Sequence, residues 1–273
     1  MLFIGAGAMA ESIIAGMLKA DCTLANTIFV TNKSNLQRLQ ELKNRYRVEI
    51  INLDKKRIND FDVIILAIKP KNMDEIMPIL KKSISTDQLI ISVVAGVSIS
   101  YFKNHLSERQ PIIRIMPNTS SSIGESATAI SISSFCSNEH LIFTEELASF
   151  IGSYFIISEE KMDTFTAIAG SGPAYIFYFM QYMEKAGVER GFDEATIRKI
   201  VAQMISGAAQ MVLQSNDEPS LLQKKVTSPN GTTEAGIKAL HEFGGGESIT
   251  KAIECAELRS KSIRLETEQI INL

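Results

Sequence analysis

Residues 5–10 of this chain read Gly5-Ala6-Gly7-Ala8-Met9-Ala10, with the apolar run LFI just before them and a helical pattern just after. A G-x-G-x-x-G/A hexapeptide between a strand and a helix restricts the fold strongly. It forms the turn of a strand–turn–helix unit whose backbone receives a dinucleotide pyrophosphate. Gly5 permits the tight turn, Gly7 leaves room for the backbone to approach the phosphates, and Ala10 permits close helix–sheet packing. The N-terminus of the helix offers unpaired N–H groups to the anion. All six residues, Ala6, Ala8 and Met9 included, are expected to line a cofactor site.

The next part of the chain extends that expectation to a whole domain. Short runs of β-forming residues fall at 2–4, 27–31, 48–51, 63–68, 89–93, 112–115, 127–132 and 155–157, separated by helical segments. The run VIILAI at 63–68 is apolar at every position, as in a strand covered by helices on both faces of its sheet. Strand–helix alternation predicts an α/β fold with a Rossmann-like, doubly wound and mostly parallel sheet over residues 1–158. Ligands in such sheets lie outside the C-terminal ends of the strands. That places Ala67-Ile68-Lys69-Pro70, Ala95-Gly96 and Asn118 in the expected crevice. The second strand ends in Thr31-Asn32-Lys33-Ser34. An NAD-preferring site carries an acid there for the ribose 2′-hydroxyl. Here a cation stands instead, and Asn32 and Lys33 suit a 2′-phosphate. The expected cofactor is NADPH, with NADH possible.

After residue 158 the pattern becomes helical. Ile197, Ile200, Val201, Met204, Ile205, Ala208, Met211 and Val212 form one stripe of a long helix, with Asp193 as its N-cap. Helices are also expected over 173–185 and from 248 to about 264. Residues 159–273 therefore read as an all-α domain. The run Phe177-Tyr178-Phe179-Met180, with Tyr182 and Met183, is apolar nearly all round, which demands burial on several sides, in a core or at a subunit interface.

Composition excludes several function classes. With 45% hydrophobic residues, 22% charged and a net charge of −3, the chain lacks the basic footprint of a nucleic-acid binder. Cys22, Cys136 and Cys255 are too scattered for a disulfide framework, and no Cys or His pair has metal-ligand spacing, so no metal is expected. The apolar N-terminal stretch lacks a basic start and is broken by Glu11 and Ser12, and no run is long enough to span a bilayer. These features predict a cytoplasmic protein without membrane partners.

The segments FIGAGAMAE, LAIKP, AGVS, RIMPNT, AGSGPAY and VTSPNGTT follow one another along nearly the whole chain. In this order they resemble the pyrroline-5-carboxylate reductase family, NAD(P)H-dependent enzymes of the last step of proline synthesis. The resemblance implies a small cyclic imino acid as substrate and an obligate homodimer, or a higher homo-oligomer, with the active site at the subunit interface. Residues 159–273 then form the substrate and dimerisation domain. It also implies that Glu159, Ser228, Gly231, Thr232 and Thr233 bind substrate. Ser228 and the N–H groups near Gly231 would cradle the carboxylate, and Thr233, the catalytic candidate, would hydrogen-bond the imine nitrogen. The chain departs from the family pattern at Ala8, often Asn; Ser120, usually Pro; Lys225, often Asn; and Asn230, usually Gly. If position 230 needs a positive φ, Asn is the least costly non-Gly residue there. Two alternatives share these residues: a reductase of a six-membered cyclic imino acid, and a weakly active nucleotide-binding paralogue.

Overall fold

The computed structural model describes residues 1–53 and 58–270. The chain divides into two compact units, one comprising Met1–Ser171 with Ala256–Leu273, the other Gly172–Cys255.

The first unit is built on one eight-stranded sheet. Its strands are β1 (Leu2–Ile4), β2 (Phe29–Thr31), β3 (Glu49–Ile50), β4 (Val63–Leu66), β5 (Leu89–Ser92), β6 (Ile112–Met116), β7 (Ser126–Ile132) and β8 (Gly152–Ile156), in the order β3-β2-β1-β4-β5-β6-β7-β8. All neighbours pair in parallel except β6 with β7. Successive strand residues point to opposite faces, so an all-apolar strand must be covered twice. Phe3, Ile65 and Ile91 belong to a core completed by Ile13, Ile14 and Met17 of α1 (Ala8–Ala20) and by Leu39 and Leu42 of α2 (Leu36–Tyr46). Leu2, Ile4, Ile64, Leu66 and Ile90 face the other way. There they meet Met73, Ile76, Met77 and Leu80 of α3 (Met73–Ser83) and Tyr101 and Phe102 of α4 (Ile99–His105). Each fully buried Ile or Leu in these layers contributes about 1.5–3 kcal/mol of transfer free energy. On the first of these layers α5 (Asn138–Ser149) adds Leu147 and Ala148.

Most strand ends shift by a residue or two from the sequence reading, and two of the differences have a plain cause. The strand expected at 63–68 stops at Leu66, because the chain turns through Ala67 to Lys69 into a 3-10 turn opened by Pro70. The strand expected at 155–157 starts earlier, because Ser126 to Ile130 of β7 pair with Gly152 to Ile156.

After β8 come the short α6 (Met162–Phe165) and a π-helical turn, Thr166–Gly170. The second unit holds α7 (Gly172–Val188), α8 (Glu194–Gln214), α9 (Pro219–Lys225), α10 (Thr232–Glu242) and the start of α11 (Gly245–Ile270). Asp193 caps α8 as expected, its carboxylate accepting from the Thr196 N–H at 2.9 Å. The last helix exceeds the expected 248–264 at both ends. Its later part is held in the first unit, where Asp163 accepts from Ser260 Oγ at 2.7 Å and from Arg264 Nε at 3.2 Å. Of the apolar run on α7, Phe177, Tyr178 and Tyr182 are each more than half exposed, so the helices of the second unit do not bury it. Among the described residues, no helix is long and apolar enough to cross a membrane.

Candidate functional site

Strand order reverses at β1, so the connections leaving β1 and β4 diverge to opposite faces of the sheet and open a crevice. The fingerprint loop occupies that crevice. The Gly5 N–H donates to the Thr31 carbonyl at 2.9 Å, and the Ala67 N–H donates to the Ile4 carbonyl at 2.9 Å. The loop is thus clamped over the ends of β2, β1 and β4. Gly5 has φ +114°, and a Cβ there would lie 2.2 Å from the Ala67 carbonyl oxygen, so only glycine fits. Gly7 is the N-cap of α1 and is exposed; a Cβ on it would meet nothing within 4 Å. The chain's own packing leaves that position open, which suits an approaching phosphate. Ala10 is fully buried under the sheet, as expected for close helix–sheet packing.

A cleft of about 1050 Å³ lies in front of this loop, bordered by Gly5, Ala6, Gly7, Asn32, Lys33, Ala67, Ile68 and Lys69. Its size and lining, with the open helix N-terminus, fit a dinucleotide. Asn32 shapes the loop after β2: its Oδ1 accepts from the N–H groups of Ser34 and Asn35 at 3.2 and 3.4 Å. Sequence reasoning missed other lining residues, including Asn52, Lys71 and Glu75. Glu75 Oε2 stands 2.7 Å from Lys33 Nζ. Ala8, Met9, Ala10, Pro70, Ala95, Gly96 and Asn118 do not line this cleft.

Two of these border other groups of the first unit. Gly96, at φ +71°, is approached by Ile263 of α11, whose Cγ2 would lie 2.6 Å from an added Cβ. The Asn118 side chain is engaged at both ends: Oδ1 accepts from the Ser120 N–H at 2.9 Å, and Nδ2 donates to the Ala169 carbonyl at 3.0 Å. The Ala169 carbonyl belongs to the π-helical turn, a rare conformation that occurs mostly as single turns.

Arg38, also missed, braces the fingerprint loop. Its Nε donates to the Ala6 carbonyl at 3.1 Å, and its guanidinium pairs with Glu11 in the first turn of α1. Glu11 further accepts from Arg45 at 3.1 Å and from Tyr46 Oη at 3.0 Å. Burial acts to raise the Glu11 carboxyl, but the hydrogen bonds from Arg38 and Tyr46 and the charges of Arg38 and Arg45 outweigh it and hold it below its ordinary value. A depressed carboxyl stabilises the fold above its unfolded pKa, and that contribution is lost as pH falls through the depressed value. Glu11→Gln should therefore flatten the fall in stability between about pH 5 and pH 3. Chemical denaturation across that range checks it, and parallel profiles for the two proteins would reject the assignment.

Glu159 is tied to the sheet. Arg114 projects from β6 and is 2% exposed, and its Nη1 donates to Glu159 Oε1 at 2.8 Å. The same oxygen accepts from the Ile99 N–H at the start of α4, at 3.2 Å.

The remaining substrate candidates lie together in the second unit. Ser228 to Gly231 form a turn closed by the Gly231 N–H donating to the Ser228 carbonyl at 3.0 Å. Asn230 adopts φ +59°, the left-handed conformation in which Asn replaces Gly at least cost. Its N–H donates to Glu234 Oε2 at 2.8 Å. Gly231 is the N-cap of α10, and a Cβ there would lie 2.5 Å from Ser228 Oγ, so its bareness lets the hydroxyl fold over the helix start. Thr232 and Thr233 occupy the first turn, Thr232 exposed and Thr233 half-buried. A hydroxyl beside the unpaired N–H groups of a helix N-terminus suits a carboxylate.

Comparison with known proteins places these features in one lineage. Residues 159–263 match the family described as pyrroline-5-carboxylate reductase dimerisation, and residues 1–96 match that described as NADP oxidoreductase, coenzyme F420-dependent. Pyrroline-5-carboxylate reductase 1 of Bacillus spizizenii is 45% identical over 98% of this chain and 90% of its own length. The structure of a pyrroline-5-carboxylate reductase from Coxiella burnetii superposes with a TM-score of 0.86 at 32% identity, covering 96% of this chain and 97% of that one. The enzyme of the same name from Streptococcus pyogenes gives 0.84, also at 32% identity, with the same coverage. Alike to these proteins from end to end in sequence and in fold, the chain belongs to the pyrroline-5-carboxylate reductase family.

Proposed function

We propose that the chain reduces Δ1-pyrroline-5-carboxylate to L-proline, the final step of proline biosynthesis, with NADPH as the preferred reductant and NADH as a possible one. The observation that carries this reading is the 45% identity to a pyrroline-5-carboxylate reductase over 98% of the chain. The nicotinamide, when bound, supplies the hydride, and the protein's task is to bind, orient and exclude water. The loop from Gly5 to Ala10 receives the pyrophosphate at the start of α1, and Lys33 and Asn32 face the adenosine ribose. Ser228 and the backbone N–H groups beyond Gly231, at Thr232 and Thr233, hold the substrate carboxylate. The Thr233 hydroxyl hydrogen-bonds the ring nitrogen, which orients the C=N bond and stabilises the amine as it forms. Residues 1–158 act as the nucleotide domain and 159–273 as the substrate and dimerisation domain. The exposed apolar side chains of α7, such as Phe177 and Tyr182, support a homo-oligomer in which a partner covers them and the active site forms at the subunit interface.

The test is oxidation of NADPH by the purified protein with Δ1-pyrroline-5-carboxylate, with its six-membered homologue in parallel. Turnover with the five-membered ring supports the proposal. Turnover with the six-membered ring alone replaces the substrate, and a folded protein that binds NADPH but turns over neither is the weakly active paralogue. Thr233→Val should lower kcat/KM by roughly fivefold to 150-fold, about 1–3 kcal/mol of transition-state stabilisation, because a polar partner is left unpaired. Steady-state kinetics of the variant check this, and wild-type constants would remove Thr233 from the mechanism.

A further inference from the structure

Lys33 has a partner that the sequence around it does not contain. Glu75, from the first turn of α3, reaches across the mouth of the cleft to within 2.7 Å of Lys33 Nζ. Both border the same cleft, together with Lys69 and Lys71, and among the described residues that line it Glu75 is the one carboxylate. The pair is open to solvent, with side chains 76% and 54% exposed. A carboxylate in a first helical turn is favoured by the helix dipole whatever the cleft binds, so its presence alone assigns nothing. Its position against Lys33 does.

We infer that Glu75 narrows the cofactor preference of this chain, opposing the 2′-phosphate of NADPH and leaving NADH unopposed. This rests on the reading of the cleft as a dinucleotide site with Lys33 at the ribose. A phosphate carries a charge of about −1.5 to −2 at neutral pH. To reach Lys33 it must displace Glu75 from the ammonium or share the ammonium with it, and either way it meets a like charge. An unphosphorylated ribose brings a hydroxyl instead, which a carboxylate accepts readily. Lys33 and Glu75 therefore pull in opposite directions, and the preference for NADPH is narrower than Lys33 alone would make it.

The experiment measures binding of 2′,5′-ADP and 5′-AMP, which differ only in the 2′-phosphate, to the full chain and to Glu75→Gln. The variant should bind 2′,5′-ADP about threefold to fivefold more tightly and 5′-AMP within about twofold of wild type. The ratio of kcat/KM for NADPH over that for NADH should rise by the same factor. The gain should shrink in about 1 M salt, where the screening length falls to roughly 3 Å. Glu75→Ala, which also lacks the charge, must shift 2′,5′-ADP in the same direction. Lys33→Met must weaken 2′,5′-ADP and spare 5′-AMP. Unchanged 2′,5′-ADP affinity in Glu75→Gln, a gain in Gln but not in Ala, a gain insensitive to salt, or no loss in Lys33→Met would each overturn the assignment. If wild type binds neither nucleotide, the dinucleotide reading itself fails and the assignment falls with it. Binding of both with no effect of Glu75 sinks the assignment alone.

Discussion

Glu159→Ala is expected to lower the stability of the chain by roughly 3 kcal/mol, the scale for removing one partner of a buried ion pair. The reason lies in Arg114. Its side chain is 2% exposed on a central strand, and the Glu159 carboxylate is its ion-pair partner at 2.8 Å. Without that carboxylate the guanidinium stays charged in a poorly solvated place, and the Ile99 N–H loses its acceptor at the start of α4. Thermal or urea unfolding measures the effect. The same variant tests the substrate role that the family resemblance implies for Glu159. If the residue acts through Arg114 and Ile99, the variant, assayed where it is folded, keeps its KM for the imine within about twofold while its unfolding midpoint drops. An unchanged midpoint with a raised KM would restore the substrate contact and refute the structural role.

Gly5→Ala should be as damaging, by a different route. A Cβ at this position lies 2.2 Å from a backbone oxygen, which no rotamer change can relieve, and the φ of +114° is itself strained for alanine. The loop must shift, at a cost of roughly 2–4 kcal/mol for the clash and the strained backbone together. Because the loop is hydrogen-bonded to Thr31 and lies against β4, the shift moves the start of α1, where the pyrophosphate is expected. Binding of NADPH, read by fluorescence quenching, should weaken by at least about tenfold in whatever fraction stays folded. Wild-type affinity in a variant of wild-type stability would mean that the turn at Gly5 does not shape the site.

Much of this was legible in the chain itself. The apolar run at 63–68 called for helices on both faces of a sheet, and the two cores on either side of β4 are that result. The G-x-G-x-x-A turn and the Asp193 cap were readable because each depends on the sterics of a few adjacent residues, whereas the left-handed Asn230 was suggested by the glycine usual at that place in the family. Such local preferences do not need the rest of the fold to be known. The apolar run on α7 was readable as a surface that requires covering, yet its periodicity is the same for an intramolecular core and for a partner. The packing of the second unit's helices, which leaves Phe177 and Tyr182 exposed, is not readable from that periodicity.

The decisive side-chain pairs were not legible, and the reason is separation along the chain. Lys33 and Glu75 are 42 positions apart, Arg114 and Glu159 45, and Arg38 and the Ala6 carbonyl 32. No local rule relates such positions. The first and last pairs meet because the strand order brings β1, β2 and β4 side by side and aims the connections after them into one crevice, and Arg114 meets Glu159 because β7 and β8 lie beside β6. The sequence by itself determined the sheet, its helical cover, the glycine turn between β1 and α1 and the turn that opens α10. The tertiary structure decided which charges face one another, because Coulombic and hydrogen-bond partners are chosen by distance in space, and that distance exists only once the strands have been ordered.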